Sequence, residues 1–329
     1  MNNLKYVNEG GGKNKGIVLL KFLAALLITY SHMAILFPKF QGLVTGGAIG
    51  DGLFFFCSGF TLFLGRNDNF INWYKRRINR IYPTIIMWAL LSTFVFGWNW
   101  SVSDLIFTPK YWFIPCIMVY YIIFYFIKTY WMKYLNIVII ITAIIIAMFD
   151  YFILDHSKSI MYADIKYMRI YYFSFMLLGA ITALKNQGNN SLKKSLIYTI
   201  VYLALYYVCM AIYKIDDFYC NFQFISLFPL LAAIYWIYQL CNTEKVSSLL
   251  SKKYIGWSIF FICGLTLEIY MVQYALFTNR FNDIFPVNII LTYIVIFVTA
   301  YLLKCLSRVF TMIFSDKRFI FKDIFKIEK

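Results

Sequence analysis

Ten long apolar runs, separated by short polar segments, make up most of this 329-residue sequence. Each run approaches the length that an α-helix needs to cross the hydrocarbon core of a bilayer. We predict transmembrane helices at residues 16–37, 47–65, 82–98, 111–127, 134–153, 167–184, 194–213, 221–240, 256–277 and 285–306. The sequence therefore predicts an all-α, polytopic integral membrane protein with about ten transmembrane helices.

The positive charges predict the orientation. If the N-terminus is cytoplasmic, 23 of the 31 Lys and Arg residues fall in inner segments and seven in outer segments. Such a bias is typical of cytoplasmic loops, so both termini are predicted to be cytoplasmic, in a multi-pass protein of the cytoplasmic (inner) membrane. The net charge of +16 is spread over short segments between apolar runs. We therefore expect a lipid bilayer, and no nucleic acid, as a partner.

The domain organisation is predicted to be simple. Residues 1–329 form a single transmembrane domain, and residues 307–329 alternate basic and apolar side chains. That alternation predicts a basic amphipathic tail on the cytoplasmic face. The seven cysteines are odd in number and lack metal-ligand spacing, so we expect neither a disulfide framework nor a bound metal.

Lys21 and His32 stand out in the first run because they are ionisable groups in an apolar segment. They are eleven positions apart, and eleven steps of about 100° return to nearly the same helical face. Ionisable groups within a membrane helix are costly unless they face a polar interior. Both residues are therefore candidates for function.

His32 and Asp51 are predicted to lie at a similar depth on consecutive antiparallel helices. A carboxylate beside an imidazole favours a general base, with His32 as the base and Asp51 as its partner. The alternative is a structural pair that joins two helices. Gly50, Gly52 and Gly59 are read first as residues that allow close helix packing.

A basic run extends from Trp73 to Pro83, where Pro83 is predicted to begin the third span. Arg77 and Arg80 are three positions apart and share a face on a helix. Arginine forks suit phosphates, so this inner segment predicts a site for a phosphate-bearing donor. The simpler interpretation is that these charges only orient the protein in the membrane.

Two later features are also candidates. Residues 111–115, YWFIP, begin a span at the outer face, and an interfacial aromatic belt is their simpler interpretation. Glu268 lies mid-span in LTLEIYMVQY. A carboxylate within the membrane is a functional candidate, and the alternative is a structural pair with a buried cation such as Lys21.

Taken together, these residues resemble the membrane acyltransferase 3 family of bacterial O-acyltransferases. The resemblance covers the basic residue and histidine with ten residues between them, the GDGLFFFCSGF stretch, the RxxR segment, YWFIP, and the pattern that ends at Gln273. Lys21 stands where arginine is commoner, and Gln273 stands where many members have histidine.

This resemblance implies a ten-helix core and acyl-CoA as the donor. His32 would then be catalytic, with Asp51 as its acidic partner. The donor would be bound by Lys21, Arg76, Arg77 and Arg80. The substrate would contact Trp112, Glu268, Tyr270 and Gln273.

The function expected from this resemblance is transfer of an acyl group, most simply acetyl from acetyl-CoA, to a hydroxyl of a cell-surface or lipid-linked polysaccharide. The alternative, from another class, is a transporter or flippase of a lipid-linked or anionic sugar. A transporter would use the same buried charges as a pathway and would need no acyl-CoA.

Overall fold

The computed structural model describes residues 14–66, 68–107, 111–153, 165–184, 191–213, 215–315 and 319–326. Within these ranges all regular structure is helical, which confirms the all-α prediction. In chain order the helices are α1 (Lys15–Ser31), α2 (Gly47–Leu64), α3 (Phe70–Phe96), α4 (Val102–Phe107), α5 (Phe113–Tyr130), α6 (Leu135–Ile153), α7 (Ile165–Leu184), α8 (Leu192–Ile212), α9 (Leu227–Cys241), α10 (Glu244–Ser247), α11 (Lys253–Gly264), α12 (Thr266–Leu276), α13 (Val287–Ile313) and α14 (Phe321–Ile324).

The polytopic character of the chain is also confirmed. Among the described residues, seven helices are long and apolar enough to cross a membrane, and α11 with α12 adds an eighth if the bent pair is one span. α1 has only 17 residues, and the apolar part of α7, Arg169–Leu184, is short. The count of ten and the cytoplasmic placement of both termini stay predictions.

The third span differs from its prediction. α3 runs without interruption from Phe70 to Phe96, so Pro83 lies inside the helix and does not begin it. The Asn69 side chain caps the helix by accepting the Asn72 N–H at 2.9 Å. Twenty-seven residues span about 40 Å, which exceeds a hydrocarbon core of about 30 Å. The basic run therefore forms the first turns of a long helix and not a loop.

The ninth and tenth spans also differ. Residues 256–277 were predicted as one helix, but α11 and α12 meet at an angle of 77°. α13 continues to Ile313, beyond the predicted end at residue 306. Lys304 lies within this helix, as it does within the predicted span, although its charge was counted with the inner segment. The described part of the tail folds back, with Tyr301 Oη donating to the Phe325 carbonyl at 3.2 Å.

By their contacts the residues divide into two compact units. The first comprises Met1–Ala24, Ala48–Arg66 and Phe124–Trp257, and the second comprises Ala25–Gly47, Asn67–Ile123 and Ser258–Lys329. The boundaries fall inside α1, α5 and α11, and after the first residue of α2, so each of these helices contributes residues to both units.

Close backbone packing organises the first unit. A Cβ on Gly59 of α2 would overlap the Met176 carbonyl of α7, and a Cβ on Gly179 would overlap the Phe56 carbonyl. This geometry agrees with the structural interpretation of the α2 glycines. The end of α2 is closed by Lys128, whose Nζ donates to the Leu62 and Gly65 carbonyls at 3.1 and 2.5 Å.

The second unit is built around α12, which packs against α3 and α13. A hydrogen bond of 3.0 Å from Tyr293 Oη to the Leu26 carbonyl ties α13 to the end of α1. Asn288 Nδ2 donates to the Leu36 carbonyl at 2.8 Å, just after α1. These bonds fix the segment that contains His32.

Candidate active site

The candidate site in the second unit is built on α12, the half-helix that follows the 77° bend. Leu265 has φ −110° and ψ 10°, which is not α-helical, and its N–H donates to a carbonyl only three residues back, at 3.0 Å. Because the hydrogen-bond ladder breaks there, α12 turns inward and residues 268–273 are all buried. Three of the predicted substrate-binding residues lie on it: Glu268, Tyr270 and Gln273.

Glu268 is buried and paired. Lys304 Nζ donates to its Oε1 at 2.9 Å, and Thr84 Oγ1 donates to the same oxygen at 3.2 Å. The other oxygen, Oε2, has no hydrogen-bond partner among the described residues. The structural alternative named Lys21 as a partner, but the cation on Glu268 is Lys304. One oxygen of this carboxylate is thus paired with a cation, and the other can still accept a hydrogen bond.

Gln273 is the most unusual polar residue of α12. Its side chain is completely buried, and neither its Oε1 nor its Nε2 makes a hydrogen bond in the described part of the chain. Leaving a buried polar group unpaired costs about 1–3 kcal/mol. An amide in this condition is available both as a donor and as an acceptor.

His32 lies one residue beyond the end of α1. The helix ends at Ser31, His32 has φ −100° and ψ 0°, and a 3₁₀ turn over Met33–Leu36 follows. The prediction that one continuous helix carries both Lys21 and His32 was therefore wrong. A helix end releases the side chain from the stripe that helical periodicity imposes.

The His32 ring is held by α12. Its Nε2 and the Tyr274 hydroxyl are 2.9 Å apart, and the two ring centroids are 4.8 Å apart with the planes tilted by 51°. Within the second unit, Nδ1 of His32 makes no hydrogen bond to a described residue. Tyr274 is 39% exposed, so this pair is accessible.

Tyr111 fixes the position of α12. Its hydroxyl accepts the Trp88 Nε1–H at 2.7 Å and donates to the Met271 carbonyl at 2.9 Å. Tyr111 is fully buried, so the interpretation of an interfacial belt was wrong for this residue. The neighbouring Trp112 is half-buried and packs edge-on against Phe113, and its contact with substrate stays a prediction.

The three arginines of α3 have different surroundings. Arg77 packs over the ring of Trp73 at 4.8 Å, and its buried Nε has no hydrogen-bond partner among the described residues. Arg80 is exposed. Arg76 bonds to Asp68, and this hydrogen bond holds the pKa of the Asp68 carboxyl below its usual range. Arg77 and Arg80 therefore have more hydrogen-bonding capacity left for an anion than Arg76 has.

Two predicted residues, Lys21 and Asp51, belong to the first unit. Asp51, on α2, accepts a hydrogen bond of 3.1 Å from the Tyr172 hydroxyl of α7. Asp150, on α6, accepts a similar bond of 2.6 Å from the adjacent Tyr171. The catalytic pairing of Asp51 with His32 stays a prediction, as does the role of Lys21.

A cavity of about 710 Å³ also lies in the first unit, between α6, α7 and α9. Its lining is apolar apart from a few groups such as Asp150, Thr142 and Ser174. None of the predicted site residues lines it. Among the described residues there is also no cluster of His, Cys, Asp and Glu suited to a metal ion.

Comparison with known proteins identifies the class. A family model described as an acyltransferase domain matches residues 14–307, which is most of the chain and includes every candidate residue. The chain belongs to the acyltransferase 3 family. This acyltransferase is therefore an enzyme that transfers acyl groups, and the RxxR, YWFIP and histidine patterns lie in the part that the family model covers.

One curated relative gives a narrower likeness. It is an O-acetyl transferase from Shigella phage Sf6, and it is 31% identical to this acyltransferase over 84 residues. That stretch is 24% of this chain, and the chain spans about a quarter of the length of the relative, 25%. No solved structure matches the chain.

Sequence reasoning missed two residues that bond to the candidate site residues, Tyr274 and Lys304. Tyr274 was passed over because a tyrosine in an apolar run resembles the many others in the chain. Lys304 was passed over because its charge was counted with the inner segment, although it lies within the predicted span 285–306. Lys304 had a detectable signal, since it is a charged residue inside a predicted transmembrane span.

Proposed function

We propose that this acyltransferase is an O-acyltransferase of the cytoplasmic (inner) membrane. It moves an acetyl group from cytoplasmic acetyl-CoA to a hydroxyl of a cell-surface or lipid-linked polysaccharide. Family membership supports acyl transfer, and the name of the phage relative supports an acetyl group and an oxygen acceptor. The observation that carries the proposal is an accessible histidine at a helix end, bonded through one ring nitrogen only within its unit.

In the proposed reaction His32 acts as the general base. A ring nitrogen takes the proton of the acceptor hydroxyl while the oxygen forms a bond to the thioester carbonyl carbon. The C–S bond then breaks, and the proton passes from the imidazolium to the leaving sulfur of CoA. General base catalysis of this kind is typically worth about 10²–10⁴-fold in rate.

The residues of α12 are proposed to bind the reacting groups. The unpaired amide of Gln273 suits the oxygen that becomes negative when the thioester is attacked, because a preorganised donor stabilises that charge. Glu268 retains an unpaired oxygen that suits a sugar hydroxyl. Tyr270 and Trp112 are proposed to supply aromatic contacts to the acceptor.

The donor is proposed to bind at the first turns of α3. CoA carries phosphates, and arginine forks bind phosphate in two-pronged fashion. The buried, unpaired Nε of Arg77 and the exposure of Arg80 support this assignment more than the Asp68-bonded Arg76 does. Lys21 is proposed to assist the donor, and Asp51 to assist His32 when the ring becomes charged.

The test measures acetyl content of surface glycan from cells that carry the wild-type gene, the His32→Ala variant, or no gene. Membrane levels of both proteins are measured by immunoblot. We expect His32→Ala to match the deletion although the protein is present, because loss of the base removes about 10²–10⁴-fold of the rate. Unchanged acetylation after deletion would contradict the proposal.

Purified protein in detergent separates this proposal from transport. The enzyme consumes acetyl-CoA and releases free thiol when glycan from the deletion strain is added, whereas a flippase does not. Thiol release by the wild type and not by His32→Ala supports the transferase. Glycan movement across vesicles without thiol release would favour the transporter.

A further inference from the structure

We propose that Tyr274 is the positioning residue of His32. Its hydroxyl oxygen accepts the Nε2–H, which fixes the tautomer and the ring orientation and leaves Nδ1 as the atom that takes the proton of the acceptor. This inference rests on the proposed function and deepens it, because it names the reacting nitrogen of the base and the group that selects it.

The Tyr274 hydroxyl and the His32 ring are in direct contact. The Tyr274 hydroxyl and His32 Nε2 are 2.9 Å apart, which is an ordinary hydrogen-bond distance. The ring centroids are 4.8 Å apart with a tilt of 51°, so the rings also pack on each other. A ring that is bonded at one nitrogen and packed on one face loses most of its rotational freedom.

The two nitrogens of the His32 imidazole have different surroundings. In a neutral imidazole one nitrogen is a donor and the other an acceptor, and only the acceptor takes a proton from a substrate. Nε2 is already bonded to Tyr274, whereas Nδ1 of His32 makes no hydrogen bond to a described residue of its unit. Placing the proton on Nε2 satisfies the tyrosine oxygen and leaves the Nδ1 lone pair for chemistry.

The turn of α12 that precedes Tyr274 is held by buried hydrogen bonds. The Met271 carbonyl, one turn earlier on α12, accepts the Tyr111 hydroxyl at 2.9 Å, and Tyr111 in turn accepts the Trp88 N–H at 2.7 Å. Tyr111 and Trp88 are fully buried. These two hydrogen bonds hold the turn of α12 that carries Tyr274, so the positioning group is itself preorganised.

The direct test is nitrogen NMR of histidine-labelled protein. The chain contains two histidines, His32 and His156, and His156 lies outside the described residues. A His156→Gln background therefore leaves one imidazole signal, whose two nitrogen shifts report which atom carries the proton. We expect the proton on Nε2 in the background protein, and a mixture of both tautomers after Tyr274→Phe.

Kinetics provide a second readout. The free energy of one neutral hydrogen bond corresponds to a change in rate of roughly twofold to tenfold. We expect kcat to fall by that factor for Tyr274→Phe, while KM for acetyl-CoA stays within about twofold of the background value. Tyr301→Phe is the matched control, since it removes a hydroxyl that bonds the Phe325 carbonyl at 3.2 Å in the same unit. We expect the control to keep the background tautomer and kcat.

The outcomes separate this inference from the proposed function. A proton on Nδ1 in the background protein would overturn the inference, and this measurement needs no Tyr274 variant to fold. An unchanged tautomer after Tyr274→Phe would overturn it as well. If no acetyl transfer is detected in the wild type, the proposed function fails, while the NMR still decides whether Tyr274 sets the His32 tautomer.

Discussion

The first unit pairs two of its helix-borne carboxylates with tyrosine hydroxyls. Asp150 accepts from Tyr171 at 2.6 Å, and Asp51 accepts from Tyr172 at 3.1 Å. The two tyrosines are adjacent on α7, so one helix supplies a donor to each of two neighbouring helices. Each contact joins one side chain to another and serves packing as readily as chemistry.

The second unit leaves more of its buried polar capacity unpaired. One oxygen of Glu268 and the whole amide of Gln273 lack a hydrogen-bond partner among the described residues. Each such group costs about 1–3 kcal/mol in a buried site. A fold can retain such groups where they serve a ligand, and this supports the substrate contacts proposed for α12 of the second unit.

The backbone differs in the same sense. In the first unit α2 and α7 approach so closely that glycine is required at Gly59 and Gly179. In the second unit the helix is interrupted at Leu265, and the half-helix α12, which follows a bend of 77°, is buried over residues 268–273. Continuous helices with glycine contacts make a rigid scaffold, whereas a broken helix brings polar side chains to membrane depth.

The largest expected effect concerns Asp51. If it assists His32, Asp51→Asn lowers acetyl transfer by at least about 10²-fold, because a neutral amide no longer stabilises a charged imidazole. Asp150→Asn is the matched control, since it also keeps an acceptor oxygen for its tyrosine. We expect Asp150→Asn to retain transfer in the purified-protein assay.

Equal activity of the two aspartate variants would break the catalytic assignment. Asp51 would then be a structural group like Asp150, and the first unit would contribute packing without a catalytic carboxylate. Folded yield by size-exclusion chromatography excludes unfolding as the cause of any loss.

A smaller effect is expected from the buried ion pair of the second unit. Lys304→Met leaves Glu268, which is 1% exposed, without its cation. We expect a loss of about 2–3 kcal/mol of stability, below the usual range for a buried pair because Lys304 is 30% exposed. Unfolding titration in detergent measures it.

The double variant Lys304→Met with Glu268→Gln serves as the control for that pair. Removing both charges should restore most of the stability, since no uncompensated charge stays buried. If the double variant is as unstable as Lys304→Met alone, the loss comes from packing and not from charge.

The smallest effect is expected at a helix contact of the first unit. Gly179→Ala places a Cβ against the Phe56 carbonyl, and overpacking of this kind costs about 1–3 kcal/mol. Gly42→Ala in the second unit is the control, because apart from its chain neighbours no described residue has an atom within 4 Å of the Cβ position. A thermal-stability assay should show a lower melting temperature for Gly179→Ala only, and equal melting temperatures would contradict the close approach.

Much of the fold followed from patterns within single segments. The runs at 47–65, 134–153 and 194–213 match α2, α6 and α8 within a few residues. The failures came where a helix does not follow its hydropathy. Pro83 lies inside α3 because a proline in a long helix is tolerated when neighbouring groups compensate, and Leu265 breaks a run that reads as continuous.

The candidate site was predicted less completely than the helices. His32 and Glu268 were identified because ionisable residues are rare in apolar runs, and Gln273 was identified through the family resemblance. Their partners were not, since Tyr274 is 242 residues from His32 and Lys304 is 36 residues from Glu268. A sequence read in windows contains no information on which distant residue fills a given hydrogen bond.

The sequence by itself determined that this chain is a helical membrane protein with acyltransferase patterns. A helix in lipid makes its backbone hydrogen bonds within its own segment, so local hydropathy suffices to predict it. Only the tertiary structure decided which nitrogen of His32 is bonded, which cation pairs with Glu268, and where α12 turns inward. Those outcomes depend on contacts between segments far apart in the chain, because each buried polar group is satisfied by whichever neighbour the packing brings within about 3 Å.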